Sequence, residues 1–422
     1  MKALKGDILY PVTMQTLAEH KGGYVVLSDS GEILFVGDKL EEKYADVPVT
    51  DYGDNLIIPA FVDMHLHAPQ YPMLGMGMDM ELIDWLSAYV YKTEARFADA
   101  EYARRIYHKL ADELISWGIT RVVMFSSLHT EATWILMEEL EKAGVTGYVG
   151  KVNMDRNAAP GVLEETTEES ISETLRWLEE SEKFQYIKPM LTPRFIPTCS
   201  DEVMTFLGRL MAERNLPGQS HLSENDKEIE WVRELHPDCA QYWEAYAKFG
   251  FWNERTLMAH CVWSDERERK AMRDAGVTVV HCADSNLNVC SGFPPVRKML
   301  DEGLKVALGS DIAGGDHLNM FDVVSASIRS SKARYMIDEK KTPFLTVPEG
   351  WYLGTSAGAA FFGEKPGFAS GNPLHAIVLA DDKLFQPKEL DPAQRLERSV
   401  YRRQPDAIRA VWSAGRKVYA VE

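Results

Sequence analysis

Several absences narrow the class of this chain before any motif is considered. It has no run of about 18 apolar residues, so no segment reads as a transmembrane helix. The opening stretch, MKALKGDILYPVT, lacks the apolar core of a signal peptide. Basic clusters are missing too: no Lys/Arg run exceeds a few residues, and the formal net charge is −18. Such a chain is poorly matched to a polyanionic backbone, so nucleic acid is not an expected partner, and neither is a membrane. Cysteine is scarce. Cys199, Cys239, Cys261, Cys282 and Cys290 are odd in number and irregular in spacing, which argues against a disulfide framework. Reduced thiols in a cytoplasm are the expectation. Internal repeats and low-complexity linkers are also absent. What remains is 422 residues, 45% hydrophobic and 26% charged, which suits a globular enzyme with a large core.

The pattern of short and long segments gives the organisation. GDILYPVT, GGYVVLSDS and GEILFVGD read as short strands separated by turn residues. From residue 60 onward, apolar runs alternate with helical segments. The runs are 60–67, 119–127, 146–154, 186–195, 216–224, 256–261, 277–286 and 305–311. TEESISETLRWLEESEK and DEVMTFLGRLMAERN, between them, carry apolar residues at helical spacing. Eight strands alternating with helices predict an α/β fold, a (β/α)₈ barrel of the TIM type, rather than an open doubly wound sheet. PLHAIVLADD and VWSAGRKVYAVE return to the short-strand pattern. The expected division is a barrel over 60–365 and a small β-sandwich domain built from 1–59 and 366–422.

In such a barrel, reactive groups stand at the C-terminal ends of the strands. His65 and His67 end the first strand, His221 and Glu224 the fifth, His260 the sixth, His281 the seventh and Asp311 the eighth. Residues i and i+2 on a strand share a face, so the imidazoles of His65 and His67 can converge on one ion. A lone H-x-H is a weak signal; with further ligand-type residues at later strand ends it becomes a strong one. Imidazole and carboxylate donors suit zinc, and also iron or manganese. His281 reads as a hydrogen-bonded support for its loop. Cys261 and Cys282 each follow a strand-end histidine and should face away from it into the core. Trp85 and Phe97 read equally well as a lid over the pocket or as helix packing. The acidic run from Glu138 to Lys142 reads as a solvated helix face.

PAFVDMHLHAPQY, TPRF, SHLSEN, MAHC, HCADSNLNVCSGF and GSDIAGG occur in that order along the chain. Together they resemble the amidohydrolase superfamily, and the HAPQ and TPRF pair resembles its guanine-deaminating branch. The likeness runs from about Pro59 to Arg329, and the closing VWSAGRKVYAVE also resembles the superfamily. One departure is Pro59-Ala60 where Pro-Gly is usual; a small residue is kept. The resemblance implies one zinc (or iron) per subunit, bound by His65, His67, His221 and Asp311. It also implies a homodimer and a small purine substrate. Glu224 would be the proton shuttle, and His260 would touch the attacking water or the ring. Gln70, Arg194 and Phe195 match guanine-binding positions. Lys188 lies near the place where some members of the superfamily carry a metal-bridging lysine. The branch resembled here is mononuclear, so Lys188 reads as structural or solvent-facing.

The mechanism implied is hydrolytic deamination. Glu224, three residues after His221, takes a proton from water and hands it to a ring nitrogen, while Asp311 orients that water. Arg194 and Gln70 read the purine edge and Phe195 supports the ring. Two other readings are carried. One is deamination of a different aminated heterocycle, such as a pterin, another aminopurine or a triazine-like ring. The other is a non-catalytic scaffold, which the full set of ligand residues disfavours.

Overall fold

The computed structural model describes residues 1–421 except 387, 403 and 405. Those three positions and residue 422, all within the C-terminal segment expected over 366–422, lie outside the described residues. The eight expected barrel strands are all present. They are β1 (Phe61–His67), β2 (Ile119–Phe125), β3 (Thr146–Gly150), β4 (Ile187–Pro189), β5 (Gly218–Leu222), β6 (Thr256–His260), β7 (Thr278–His281) and β8 (Lys305–Leu308).

Strands β1 to β4 form one parallel sheet and β5 to β8 another. Backbone hydrogen bonds join them into a ring. Leu191, just past β4, bridges to Gly218 of β5, and the Gln219 amide donates to the Leu191 carbonyl at 2.9 Å. On the other side the Asp311 amide, just past β8, donates to the His65 carbonyl at 2.8 Å. The interior is filled by Val62, Met64, Val123, Met190, Leu257, Val280 and Ala307, as closing a small barrel requires.

Helices wrap the ring, and their starts follow the sequence. Asp99, Thr166, Ser200, Asn225, Asp265 and Asn319 each accept backbone N–H bonds at a helix N-cap. The two helices read from periodicity appear as Thr167–Ser181 and Asp201–Arg214.

The β-sandwich expected of the two termini takes the form of one continuous seven-stranded sheet. In spatial order it runs Arg416–Ala420, Ile408–Ser413, Ala376–Leu379, Val49–Pro59, Lys2–Pro11, Leu17–Leu27, Ile33–Gly37. Strands from both ends contribute to a shared core that includes Leu4, Ile8, Val25, Ile57, Leu374, Val378 and Trp412. Val49–Pro59 pairs with Ala376–Leu379 and leads through Ala60 directly into β1. The first metal-type histidines therefore stand on a strand anchored by this sheet. No helix among the described residues is long and apolar enough to cross a membrane.

Candidate metal centre and purine pocket

The strand ends bring the predicted residues together. The ligand atoms of His65, His67 and His221 lie within 4.8 Å of one another, and so do those of His65, His260, Cys282 and Asp311. Asp311 Oδ1 stands 3.4 Å from His65 Nε2 and 3.6 Å from His67 Nε2. His67 Nε2 and His221 Nε2 are 3.1 Å apart. His65, His67, His260 and Asp311 are all buried.

A cation fits this arrangement. Both ring nitrogens of His65 and Nδ1 of His67 are buried without a hydrogen-bond partner, an expensive state for polar atoms that have no ligand to bind. Burial, followed by the neighbouring imidazoles, holds His67 and His221 well below the usual histidine range. They are neutral, as ligation requires. His221 Nδ1 lies 2.6 Å from the Arg194 carbonyl, which leaves Nε2 to carry the lone pair. Asp311 is ionised: burial raises its pKa, but the imidazoles of His65 and His260 outweigh that and lower it.

Glu224 lies two residues past β5 and is 4% exposed. Its Oε1 accepts from Ser291 Oγ at 3.0 Å, and its Oε2 is 3.5 Å from His260 Nε2. Burial raises its pKa above the usual carboxylate range. His260 Nε2 is also 3.7 Å from Asp311 Oδ2, and Nδ1 is 2.8 Å from Asn286 Oδ1. Burial pushes His260 down, but the carboxylates of Glu224 and Asp311 outweigh it and its pKa rises. Ser223, His260, Cys261 and Asp311 all have φ between 47° and 71°, a left-handed conformation that is costly for residues with a Cβ. Strain of this kind concentrates where side chains are aimed at a reaction centre.

Gln70, Arg194 and Phe195 line the pocket beside these groups, together with Leu82, Trp85 and Leu86. The alternatives for Trp85 and Phe97 are thereby separated. Trp85 faces the pocket, whereas Phe97 packs behind it on Tyr102 and Tyr107. The helical stretch carrying Trp85 contains a π turn over Leu86–Val90, an irregularity common at functional sites. Phe195 is buried, with its ring 6.0 Å from that of Trp231.

Two expectations for the seventh strand are corrected. Cys282 packs into the barrel core with Val62, Met64 and Val280, as expected, but its Sγ faces the centre rather than away from it, within 4.8 Å of ligand atoms of His65, His260 and Asp311, because β7 stops at His281 and the chain turns at once into the helix Ala283–Asn288. Strand alternation no longer applies there. His281 is buried with neither ring nitrogen partnered, so it is not the hydrogen-bonded loop support its position suggested. Lys188 is exposed and donates to the Phe184 carbonyl at 2.7 Å, the structural role expected.

Sequence reasoning missed three groups. Asp63, fully buried, accepts from the Ser310 amide at 2.9 Å and from its hydroxyl, tying β1 to the segment before Asp311. Glu228 accepts from the Glu224 amide at 3.0 Å and from the Tyr242 hydroxyl at 2.7 Å. Glu94 accepts from both Gln70 and Arg194. Its signal was legible: Leu82, Leu86, Val90 and Glu94 recur every four residues, placing a carboxylate on an apolar stripe.

The amidohydrolase family profile matches residues 56–418. Guanine deaminase of Dictyostelium discoideum is 40% identical over 313 residues, 74% of this chain and 69% of that one. Human guanine deaminase is 33% identical over 390 residues, 89% of this chain and 85% of that one. A crystal structure of guanine deaminase from C. acetobutylicum, with guanine bound in the active site, superposes with a TM-score of 0.96. It is 39% identical, covering 99% of this chain and 100% of that one.

Proposed function

The chain belongs to the amidohydrolase family, and from that premise we propose that it deaminates guanine hydrolytically, giving xanthine and ammonia. The observation that carries the reading is the convergence of three imidazoles and a carboxylate beside a buried acid/base, with an Arg–Gln pair at the same mouth. His65, His67, His221 and Asp311 are the proposed ligands. Zinc is the proposed ion, one per subunit, because neutral imidazole and carboxylate donors suit it. When bound, it supplies a Lewis acid that lowers the pKa of water from about 15.7 to about 7.

The protein's own groups then do the following. Glu224 accepts the proton of the attacking water and passes it to a ring nitrogen. Asp311 orients that water through its carboxylate. The water oxygen adds to the carbon bearing the 2-amino group, and His260 steadies the charge that grows on it. A second proton carried through Glu224 lets the amine leave as ammonia. Arg194 and Gln70 donate to acceptors on the purine edge, Phe195 and Trp85 enclose the ring, and the apolar walls exclude bulk water.

The same reading takes 60–365 as the catalytic barrel and 1–59 with 366–422 as its companion domain, supported by the strand pairing above. A homodimer in the cytoplasm completes it. The homodimer follows the family likeness, and the location is supported by five unpaired cysteines. Light scattering checks the dimer. The activity is tested by following xanthine formation with metal-assayed protein offered guanine, adenine, cytosine and pterins. Guanine should be preferred by a wide margin, and faster turnover of adenine or a pterin would reject the substrate assignment.

A further inference from the structure

Glu94 takes no part in the reaction above, yet its carboxylate is only 2% exposed and engages both side chains assigned to the purine. Its Oε1 accepts from Gln70 Nε2 at 2.9 Å and its Oε2 from Arg194 Nη1 at 2.6 Å. We infer that Glu94 is a positioning residue for substrate selection. It locks Gln70 and Arg194 into an edge made only of donors, and so sets the preference for an oxo group over an amine at that edge of the purine. The inference rests on the guanine-deaminating reading of the site.

The reasoning is a count of donors and acceptors. An ionised carboxylate can only accept, so Gln70 must turn its NH₂ toward Glu94. The Gln70 oxygen is meanwhile held by the Ala313 amide at 3.3 Å. Rotating the amide by half a turn would set oxygen against carboxylate and NH₂ against N–H. What Gln70 has left for the pocket is its second N–H. Arg194 has five N–H donors and no acceptor, and Glu94 occupies only part of that set. Arg194 is 3% exposed, and its charge is balanced there by Glu94.

Guanine answers such an edge with its 6-oxo group. An exocyclic amine in the same place would face donor against donor and leave a buried N–H unsatisfied, which is the situation that gives enzymes their largest discriminations. With a neutral amide at position 94 the carboxylate half of the constraint is gone, and only the Ala313 amide still holds the Gln70 oxygen. Gln70 can then offer its oxygen by giving up that one bond, and Arg194 loses the group that fixes its rotamer.

Placement adds a second consequence. Glu94 closes the α-helical part of the stretch that begins at Leu82 and includes Trp85 and the π turn, just before a 3₁₀ turn over Ala95–Ala98. Tyr91, one turn earlier, lies with its ring 5.6 Å from the Arg194 guanidinium carbon. The element that roofs the pocket is thus the one that sets its hydrogen-bonding code. The donor edge is complete only when that roof is seated.

The test compares guanine with 2,6-diaminopurine, which keeps the reacting 2-amine and carries an amine in place of the 6-oxo group, on the zinc-loaded enzyme. In Glu94→Gln the ratio of kcat/KM for the two substrates should fall roughly tenfold or more, chiefly through a higher KM for guanine, with metal content unchanged. Glu94→Asp keeps the charge with a shorter reach and should recover part of the ratio. Arg194→Gln should lower the ratio too, and adding Glu94→Gln to it should lower it little further, since the two act through one contact. Equal losses on both substrates, or an unchanged ratio in a folded, metal-loaded variant, overturn the inference. So does failure of both Glu94 variants to fold with metal, which would make the residue structural. A wild-type enzyme inert toward guanine would condemn the activity and not Glu94. Its role would then be read from equilibrium binding of oxo- and amino-purines to the same variants.

Discussion

Replacing Glu224 with Gln isolates the proton transfer from everything else the residue does. The side chain keeps its size. Ser291 Oγ, now 3.0 Å from Oε1, can still donate to the amide oxygen, and the amide nitrogen then faces His260 Nε2, 3.5 Å away. The backbone bond from residue 224 to Glu228 is untouched. The native carboxyl already has a raised pKa from burial, so a neutral isostere adds little folding penalty. What is lost is the acid/base step, typically about 10²–10⁴-fold in rate. At about 1.36 kcal/mol per decade this is roughly 3–5 kcal/mol of barrier. Single-turnover xanthine formation, with metal content measured on the same sample, is the assay. The expected variant holds its metal, binds guanine and turns over about 10²–10⁴-fold more slowly. Turnover within a few-fold of wild type would refute the shuttle. Loss of the metal would show instead that Glu224 acts as a ligand.

Further perturbations address the metal, the strand packing and the pH dependence of stability. His65→Ala should remove most bound metal and activity while the barrel stays folded; full metal content by elemental analysis would reject its ligation. Gly309→Ala should also lower metal occupancy, because a Cβ there would stand 2.8 Å from His65 Cβ and 2.9 Å from His65 N. Unchanged affinity in a chelator competition would contradict that packing. Glu228 is pushed up to about 7 by burial and then by the charge of Glu224, against an ordinary value of 4.5. Its neutral form favours folding, so its contribution is fully present below about pH 4.5 and is lost as pH rises through about 7. Glu228→Gln should therefore gain stability on wild type between pH 5 and pH 8, by on the order of 3 kcal/mol, read from urea unfolding. An identical gap at both pH values would count against it.

The barrel was legible because each strand is an apolar run bounded by turn residues, and the candidate ligand cluster because His65, His67, His221 and Asp311 fall at or just past the ends of the first, fifth and eighth strands. His65 and His67 needed only the two-residue strand period to be placed on one face. The remainder depended on geometry that no local pattern carries. Cys282 broke the alternation rule because its strand ended one residue earlier. Glu94 meets Arg194 across a hundred positions of chain, so its partners could not be named even though its place on an apolar stripe was visible. Trp85 and Phe97 share a segment, and only the direction each faces separates pocket wall from packing. The seven-stranded sheet joins both ends of the chain through pairings such as Ile57 with Val378, for which the sequence offers compatible strands but no register.

That last pairing has a consequence for biosynthesis. His65 and His67 leave the ribosome early and Asp311 much later, but the strand leading into β1 gains its neighbour Ala376–Leu379 only after that. Until then Val49–Pro59 has an open edge, and the Ala60 amide lacks the His375 carbonyl that holds it at 3.0 Å. Contacts this distant in sequence form late, since the intervening loop must be closed first. All four proposed ligands can thus be outside the ribosome while one edge of the strand leading into two of them is still unpaired. A nascent chain in which Asp311 is free but residues 376–379 are not should therefore compete less well for zinc than its completed counterpart, as a chelator competition would show.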